Sequence, residues 1–371
     1  MRVLYGVVGD GMGHATRSRV ILEHLLDAGH EVRVAVSGRA HAFLTRVLAG
    51  RPGAEVVEIA GLRMVYGDNR VQKAATARTT LAEAPEGLRR NAGVFRRIAA
   101  DLRPDVVVTD FDTFTYLVGR ALGVPVVSID NNHVIDRCRH ERTLRAGAEV
   151  DHTLARAVVA ARLPQAYHYL VTTFFFPPVA KRRTTLVPPI LRPEILAARR
   201  EPGGHVLVYQ TAAGHGALVD ALRRLPYEFR VYGAGREARE GNVHLRAFSE
   251  QTFVDDLRTA RAAVAGGGFS FLSEAVHLRV PLLSIPLRGQ YEQELNARYL
   301  ERLGYGERAE EATSTAVAAF LERVEEHAAA LARHTPRDNA FVLRCVDELL
   351  ARAARGEPAP DVLDAALAGI P

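Results

Sequence analysis

Short runs of consecutive apolar residues recur along this chain. Each leads into a turn rich in glycine or polar residues and then into a stretch with apolar positions three and four apart. Residues 3–8 form the first run and Gly9 to Gly13 the first turn. Ile21, Leu22, Leu25 and Leu26 then mark one stripe of a helix over about 18–28. Gly29 stands where a helix C-terminal cap is expected, and a second strand over 31–36 completes a parallel strand–helix–strand unit. The same order returns with a strand over 105–110, a helix near 115–122, Gly123 and a strand over 124–129. Uniformly apolar runs of this kind are what parallel strands covered on both faces look like, and their alternation with helices predicts a doubly wound α/β sheet.

The pattern then breaks and starts again. Pro177-Pro178, Pro188-Pro189, Pro193, Pro202 and Gly203-Gly204 read as interdomain punctuation. Beyond them come a strand over 205–210, a turn over 211–216, a helix over 217–225 and a strand over 229–232. Further on, a strand over 262–265, a Gly-rich turn, a helix over 271–278 and a strand over 282–285 follow. The expected architecture is therefore two Rossmann-like domains, 1–190 and 204–335, joined by a linker at 191–203. A helical tail at 336–371, rich in Ala and Arg, is expected to pack back on the N-terminal domain.

Composition narrows the function. With 371 residues, 48% hydrophobic and 25% charged, the chain has enough apolar material for two cores and no signature of disorder. Its apolar stretches, such as 106–108 and 170–176, are too short or interrupted to span a bilayer. The N-terminus runs straight into the first strand and Gly-rich turn without the longer apolar region of a signal peptide, so a cytoplasmic location is expected. Cys138 and Cys345 lie far apart and read as unpaired thiols in a reducing compartment. The net charge of +5 comes from scattered arginines such as Arg89-Arg90, Arg96-Arg97 and Arg223-Arg224. No nucleic-acid motif accompanies them, which points to a solvated face. An anionic or lipid-linked acceptor and a peripheral membrane contact remain open.

Three segments carry chemistry. Gly9-Asp10-Gly11-Met12-Gly13-His14 directly follows the first strand, where glycines let the backbone approach a ligand and a helix N-terminus favours negative charge. A nicotinamide reading is set aside because the second strand ends in Ser37-Gly38 instead of a ribose-binding acid. His14 is a candidate general base, able to accept the proton of an acceptor hydroxyl near neutral pH. Asp110 and Asp112, at the end of a nearby strand, are both candidates to hold its imidazole. Asp130-Asn131-Asn132-His133 faces the same crevice, with His133 as a second candidate base. The third segment is Ala265-Gly266-Gly267-Gly268-Phe269-Ser270-Phe271-Leu272-Ser273-Glu274, continued by Gln290-Tyr291-Glu292-Gln293. Its Gly-rich turn can present N–H groups to a diphosphate, Glu274 can accept both hydroxyls of a ribose, and Glu292 and Gln293 can bond sugar hydroxyls.

This last segment resembles the donor-binding signature of GT-B nucleotide-sugar glycosyltransferases, in particular a prokaryotic UDP-glycosyltransferase-like branch related to the peptidoglycan N-acetylglucosaminyl transferase. Gly11-Met12-Gly13-His14-Ala15-Thr16-Arg17 is similar to the acceptor loop of that group, and Pro104-Asp105…Asp110…Leu122-Gly123-Val124-Pro125 to its fifth-strand region. The resemblance implies a GT-B fold with two α/β domains facing across a cleft, and inversion at the anomeric carbon without a metal ion. It implies no cofactor, the nucleotide-sugar being a co-substrate, with a uridine donor favoured over a thymidine one. On the donor side it implies Glu274 at the ribose, Gly267, Gly268, Phe269 and Ser270 at the diphosphate, Glu292 and Gln293 at the sugar, Phe248 at the base and Thr211 near the phosphates. On the acceptor side it implies His14 as base beside Gly11, Gly13, Thr16, Arg17, Asp130, Asn131 and His133.

One departure stands out: Gly266 occupies the place of a phosphate-contacting His in many relatives, which shifts that task to backbone amides, Thr211 or Arg288. The acceptor is not legible, because its pocket is expected from loops at 61–86 and 133–157. A nucleotide-sugar epimerase of the same fold and a non-catalytic nucleotide-sugar-binding protein are the alternatives. The aromatic run Phe174-Phe175-Phe176 is expected to pack between domains and not to dock on a membrane.

Overall fold

The computed structural model describes residues 1–9, 11–61, 66–67, 70–71, 73–210 and 215–367, with backbone alone for 66–67, 70–71, 73–84, 215, 217, 366 and 367. The first sheet contains β1 (Arg2–Val7), β2 (Glu31–Val36), β3 (Ala54–Glu58), β6 (Val106–Asp110), β7 (Val126–Asp130), β8 (His168–Thr172) and β9 (Thr184–Val187). A short hairpin, β4 (Tyr66–Gly67) and β5 (Arg70–Val71), lies apart from it. The strand order is β3-β2-β1-β6-β7-β8-β9, with every neighbouring pair parallel.

The second sheet contains β10 (Val206–Tyr209), β11 (Phe229–Tyr232), β12 (Ala238–Glu240), β13 (Val243–Arg246), β14 (Ala262–Ala265), β15 (Leu282–Ser284) and β16 (Gly306–Arg308). Its order is β12-β13-β11-β10-β14-β15-β16, antiparallel only between β12 and β13.

Burial explains the uninterrupted apolar runs. On β1 and β6, Leu4 and Val107 point into one core, while Val3, Tyr5, Val7, Val106 and Val108 point into another. Both faces are covered, so neither can be polar.

Two helices start earlier than their apolar stripes predict. The first runs Met12–Asp27 instead of starting near 18, because its opening turns bury polar residues: Arg17 and Ser18 are covered alongside Ala15. A hydrophobic periodicity does not register such positions. The helix after β14 runs Phe269–His277, capped by Gly268. After β9, the linker meets the tail, where Leu191 N donates to Asn339 Oδ1 at 2.9 Å and Asn339 Nδ2 donates to Leu191 O at 2.7 Å. The tail helix Ala340–Ala354 lays Phe341, Val342, Cys345, Val346 and Leu349 into the core under β1. Phe174 and Phe175 are buried between the lobes, on Phe269 (6.1 Å, stacked) and on Tyr299 (3.8 Å, stacked). Phe176 instead is 57% exposed.

Candidate active site

In the first sheet β1 lies between β2 and β6, so the connections leaving it and β6 diverge and open a crevice at the carboxyl ends of the strands. His14 comes from the first turn of the helix after β1, and Asp110 from the last residue of β6. Their side chains meet, with His14 Nδ1 2.8 Å from Asp110 Oδ1. The imidazole keeps 21% of its surface exposed while the carboxylate keeps 1%.

Arg17, one turn along the same helix, grips the carboxylate with Nε to Oδ2 at 2.7 Å and Nη2 to Oδ1 at 2.5 Å. Ser18 Oγ adds a bond to Oδ2 at 3.1 Å. Arg17 Nη2 also lies 2.7 Å from His14 Nδ1, and Nη1 donates to Asn131 Oδ1 at 2.6 Å. Burial alone would raise the Asp110 carboxyl, but the Arg17 charge, His14 and their hydrogen bonds outweigh it and hold Asp110 below its ordinary range. Arg17 likewise gains more from Asp110 than burial takes away, and sits above its ordinary value.

The two acids left open by the sequence have separate places. Asp112 does not touch His14: it caps the helix Thr113–Leu122, its Oδ2 accepting from Thr115 N at 2.7 Å and Thr115 Oγ1 at 2.8 Å. Burial pushes that carboxyl up against these bonds. His133 is not open to the cleft either. It is 1% exposed, its Nδ1 is 2.7 Å from Asp130 Oδ2, and its ring packs against Phe111 and Tyr169. Asp130 is equally buried, and although burial opposes it, His133, Ser128 and the His133 backbone N–H hold it far below the carboxylate range. Thr16 turns its hydroxyl back to Gly13 O at 3.1 Å. Gly11 caps the first helix. Gly13 faces the other lobe, where a Cβ on it would lie 2.4 Å from Ser270 Oγ.

Across the cleft the second sheet repeats the device, since β10 lies between β11 and β14. The turn after β14 leads through Gly266 and Gly267 to Gly268, and Ser270 sits in the first turn of the helix Phe269–His277. Gln293 braces this turn from behind, its Oε1 accepting from Gly267 N at 3.2 Å and Leu287 N at 3.1 Å. Asn296 Nδ2 donates to Gly267 O at 3.0 Å and to Glu292 Oε1 at 2.6 Å. Glu292 Oε1 also accepts from Asn131 Nδ2 at 2.8 Å, which links the two lobes. Glu292 keeps some open surface yet lies deep in the crevice, and burial raises its carboxyl to about 7 despite Asn296, Arg17 and Asn131.

Glu274 is buried and bidentate with Arg192, Nε to Oε1 at 2.7 Å and Nη2 to Oε2 at 2.9 Å. Burial raises this carboxyl and Arg192 pulls it back only in part. Phe269 is buried, whereas Phe248 is 61% exposed beside Phe253. Thr211 falls outside the described residues. Arg288 Nη2 pairs with Glu311 Oε1 at 3.0 Å.

Sequence reasoning missed Arg192, Asn296 and the grip of Arg17 on Asp110. Arg192 sits next to Pro193 in what reads as linker, and only its burial marks it. Asn296 does carry a signal, four residues after Glu292 and thus on the same helix face. Among the described residues no group of three or more His, Cys, Asp or Glu side chains is placed to hold a metal ion. No described helix is long and apolar enough to cross a membrane.

Two parallel sheets with facing switch points and a matching Gly-rich turn now stand beside a family match that covers residues 1–325, to the family described as Glycosyl transferase family 1. The chain belongs to that family. It is a glycosyltransferase, and relatives of both kinds agree. An uncharacterized glycosyltransferase of Methanosarcina mazei is 25% identical, over 82% of this chain and 85% of its own. Among solved structures, the glycotransferase of kitacinnamycin superposes with a TM-score of 0.63 at 19% identity, covering 95% of this chain and 98% of that one. The spinosyn rhamnosyltransferase SpnG does so with a TM-score of 0.60 at 20% identity, covering 94% of this chain and 100% of that one. These likenesses give the fold as GT-B. SpnG has also been solved with thymidine diphosphate and with spinosyn aglycone.

Proposed function

We propose that this glycosyltransferase moves a sugar from a pyrimidine nucleoside diphosphate donor to an acceptor hydroxyl, with inversion and without a metal ion. The observation that carries the reading is the His14–Asp110 pair, 2.8 Å apart at one switch point and facing the Gly-rich turn of the other lobe. In this scheme His14 Nε2 takes the hydroxyl proton as the acceptor oxygen bonds to the anomeric carbon. The bond from that carbon to the diphosphate oxygen breaks on the opposite face, and the diphosphate leaves with the electron pair. Asp110 accepts from Nδ1–H and stabilises the imidazolium that forms. Backbone N–H groups of the helix Phe269–His277 receive the leaving charge.

Arg192 engages one lone pair on each Glu274 oxygen and leaves a second on each for the ribose hydroxyls. Its role is then to aim the carboxylate. Glu292 serves the donor sugar, and Gln293 acts through the turn that it braces. The donor motif favours uridine, and the thymidine diphosphate held by SpnG, a relative of the same fold, speaks for thymidine.

A thermal-shift screen of uridine, thymidine, guanosine and nicotinamide nucleotides against wild type and Glu274→Ala separates these. A ligand at a hundredfold excess over its Kd stabilises the folded state by about 2.7 kcal/mol. Stabilisation by uridine or thymidine diphosphate that is lost in Glu274→Ala is expected. A response to nicotinamide nucleotides alone would sink the proposal.

A further inference from the structure

Glu274 and Arg192 meet where the linker reaches the second lobe. The carboxylate is buried, and each of its oxygens carries one charged donor: Arg192 Nε on Oε1 at 2.7 Å and Nη2 on Oε2 at 2.9 Å. The third arm of the guanidinium, Nη1, donates to Glu250 Oε1 at 3.0 Å, in the first turn of the helix Glu250–Thr259. The guanidinium carbon stands 5.9 Å from the centre of the Phe253 ring, and Phe248 lies 5.4 Å from the same ring. The backbone is held as well. Arg192 is the N-cap of the short helix Pro193–Ala197, whose first position is the proline, and Leu191 before it is bonded twice to Asn339. From the first lobe, Arg19 Nη1 reaches Glu194 Oε1 at 3.3 Å. Arg192 is therefore anchored by contacts other than Glu274.

That arrangement sets how much a missing ligand hydroxyl matters. Where a buried acceptor depends on the ligand alone, an analogue lacking one hydroxyl leaves an oxygen unpaired and is rejected by about ten-thousandfold. Here neither oxygen of Glu274 depends on the ligand, because Arg192 stays on both when a hydroxyl is absent. Its permanent charge also offsets part of the charge on the carboxylate, which lowers what each hydroxyl adds. The structure assigns Arg192 as a specificity-determining residue: by covering both Glu274 oxygens, it makes the donor site tolerant of a nucleoside diphosphate without a ribose 2′-hydroxyl. The inference rests on the reading of Glu274 as the ribose ligand. Uridine and thymidine donors differ at this hydroxyl as well as at the base methyl group, so the ribose end of the site leaves the choice between them to the base.

The test uses uridine diphosphate and 2′-deoxyuridine diphosphate, which share a base and differ by one oxygen. Their Kd values are measured by titration calorimetry for wild type, Arg192→Gln, Arg192→Lys and Glu274→Ala, at about pH 8, well above the ordinary carboxyl range. In wild type the deoxy compound is expected to bind within about tenfold of the ribo compound, the size of one hydrogen bond. In Arg192→Gln, with one amide donor for two oxygens, that ratio is expected to exceed about a hundredfold. Arg192→Lys, a point charge without the fork, is expected to fall between them, and it carries the test should Arg192→Gln not fold. A ratio that keeps its wild-type value in both variants, while the two affinities fall together, would overturn the inference and leave Arg192 a structural residue. A wild-type ratio above about a hundredfold would overturn it too. Unchanged binding of uridine diphosphate by Glu274→Ala, or no binding of either compound by the wild type, would instead remove the ribose assignment and the inference with it.

Discussion

A carboxyl group placed where Glu292 lies loses hydration on folding, and two amide donors on a single oxygen do not fully replace it. Its proton is therefore held up to about 7, against an ordinary value of 4.5. Between those two values the folded chain keeps a proton that the unfolded chain has released. The contribution of this group to stability is thus present at low pH and is lost as the pH rises through about 7. Glu292→Gln, which cannot ionise, is expected to flatten the fall in Tm between about pH 4.5 and 7 and to exceed the wild type above that range. Parallel curves for the two proteins would show that the carboxylate is charged at no cost. The same residue accepts a hydrogen bond from Asn131 of the other lobe.

At the scale of elements, the Gly-rich turn after β14 is shaped by close approach and not by backbone conformation. None of Gly266, Gly267 and Gly268 has a positive φ. A Cβ on Gly267 would lie 2.5 Å from the backbone oxygen of Gln293, which cannot rotate out of the way. On Gly266 the nearest atom is Gln293 Oε1 at 3.7 Å, an ordinary contact. Gly267→Ala is expected to cost about 1–3 kcal/mol in urea unfolding, as overpacking does, and to weaken binding of the diphosphate that stabilises the wild type. Gly266→Ala should leave both within error. Equal effects of the two substitutions would mean that the turn is not held by the helix Tyr291–Arg302 behind it.

For the whole molecule, the last long helix belongs with the first strand. Leu349 is fully buried, together with Val346 and Cys345, against the face of the sheet that carries Val3 and Tyr5. Leu349→Ala is expected to cost about 2–5 kcal/mol. The loss should appear in hydrogen exchange of β1 and β6, more than 230 residues away in sequence, before that of β14. Faster exchange confined to the tail helix would show that the tail is only an appendage. The chain thus crosses between lobes twice, at Leu191 and Asn339, and these two crossings are hydrogen-bonded to each other.

The central strands and their parallel direction were legible in the sequence because those apolar runs are buried on both faces, whereas outer strands such as β3, β8, β9, β13 and β16 were not read. Residues 31–36, 229–232 and 262–265 begin and end where the pattern places them. The Gly-rich turn after β14 and the helix behind it were legible for a related reason: glycines at a turn and acids at a fixed step along a helix are local features. His14 and Asp110 could be named as candidates, but only Phe111 separates Asp110 from Asp112, and nothing local distinguishes a strand end aimed at the cleft from a helix cap. What only the tertiary structure decided was the pairing of charges from distant segments: Arg17 on Asp110, Arg192 on Glu274, and Asn131 on Glu292. The physical reason is that a buried ion or amide is satisfied by whatever partner the fold brings within about 3 Å. Periodicity along the chain records which face of an element is covered, and carries no record of what covers it.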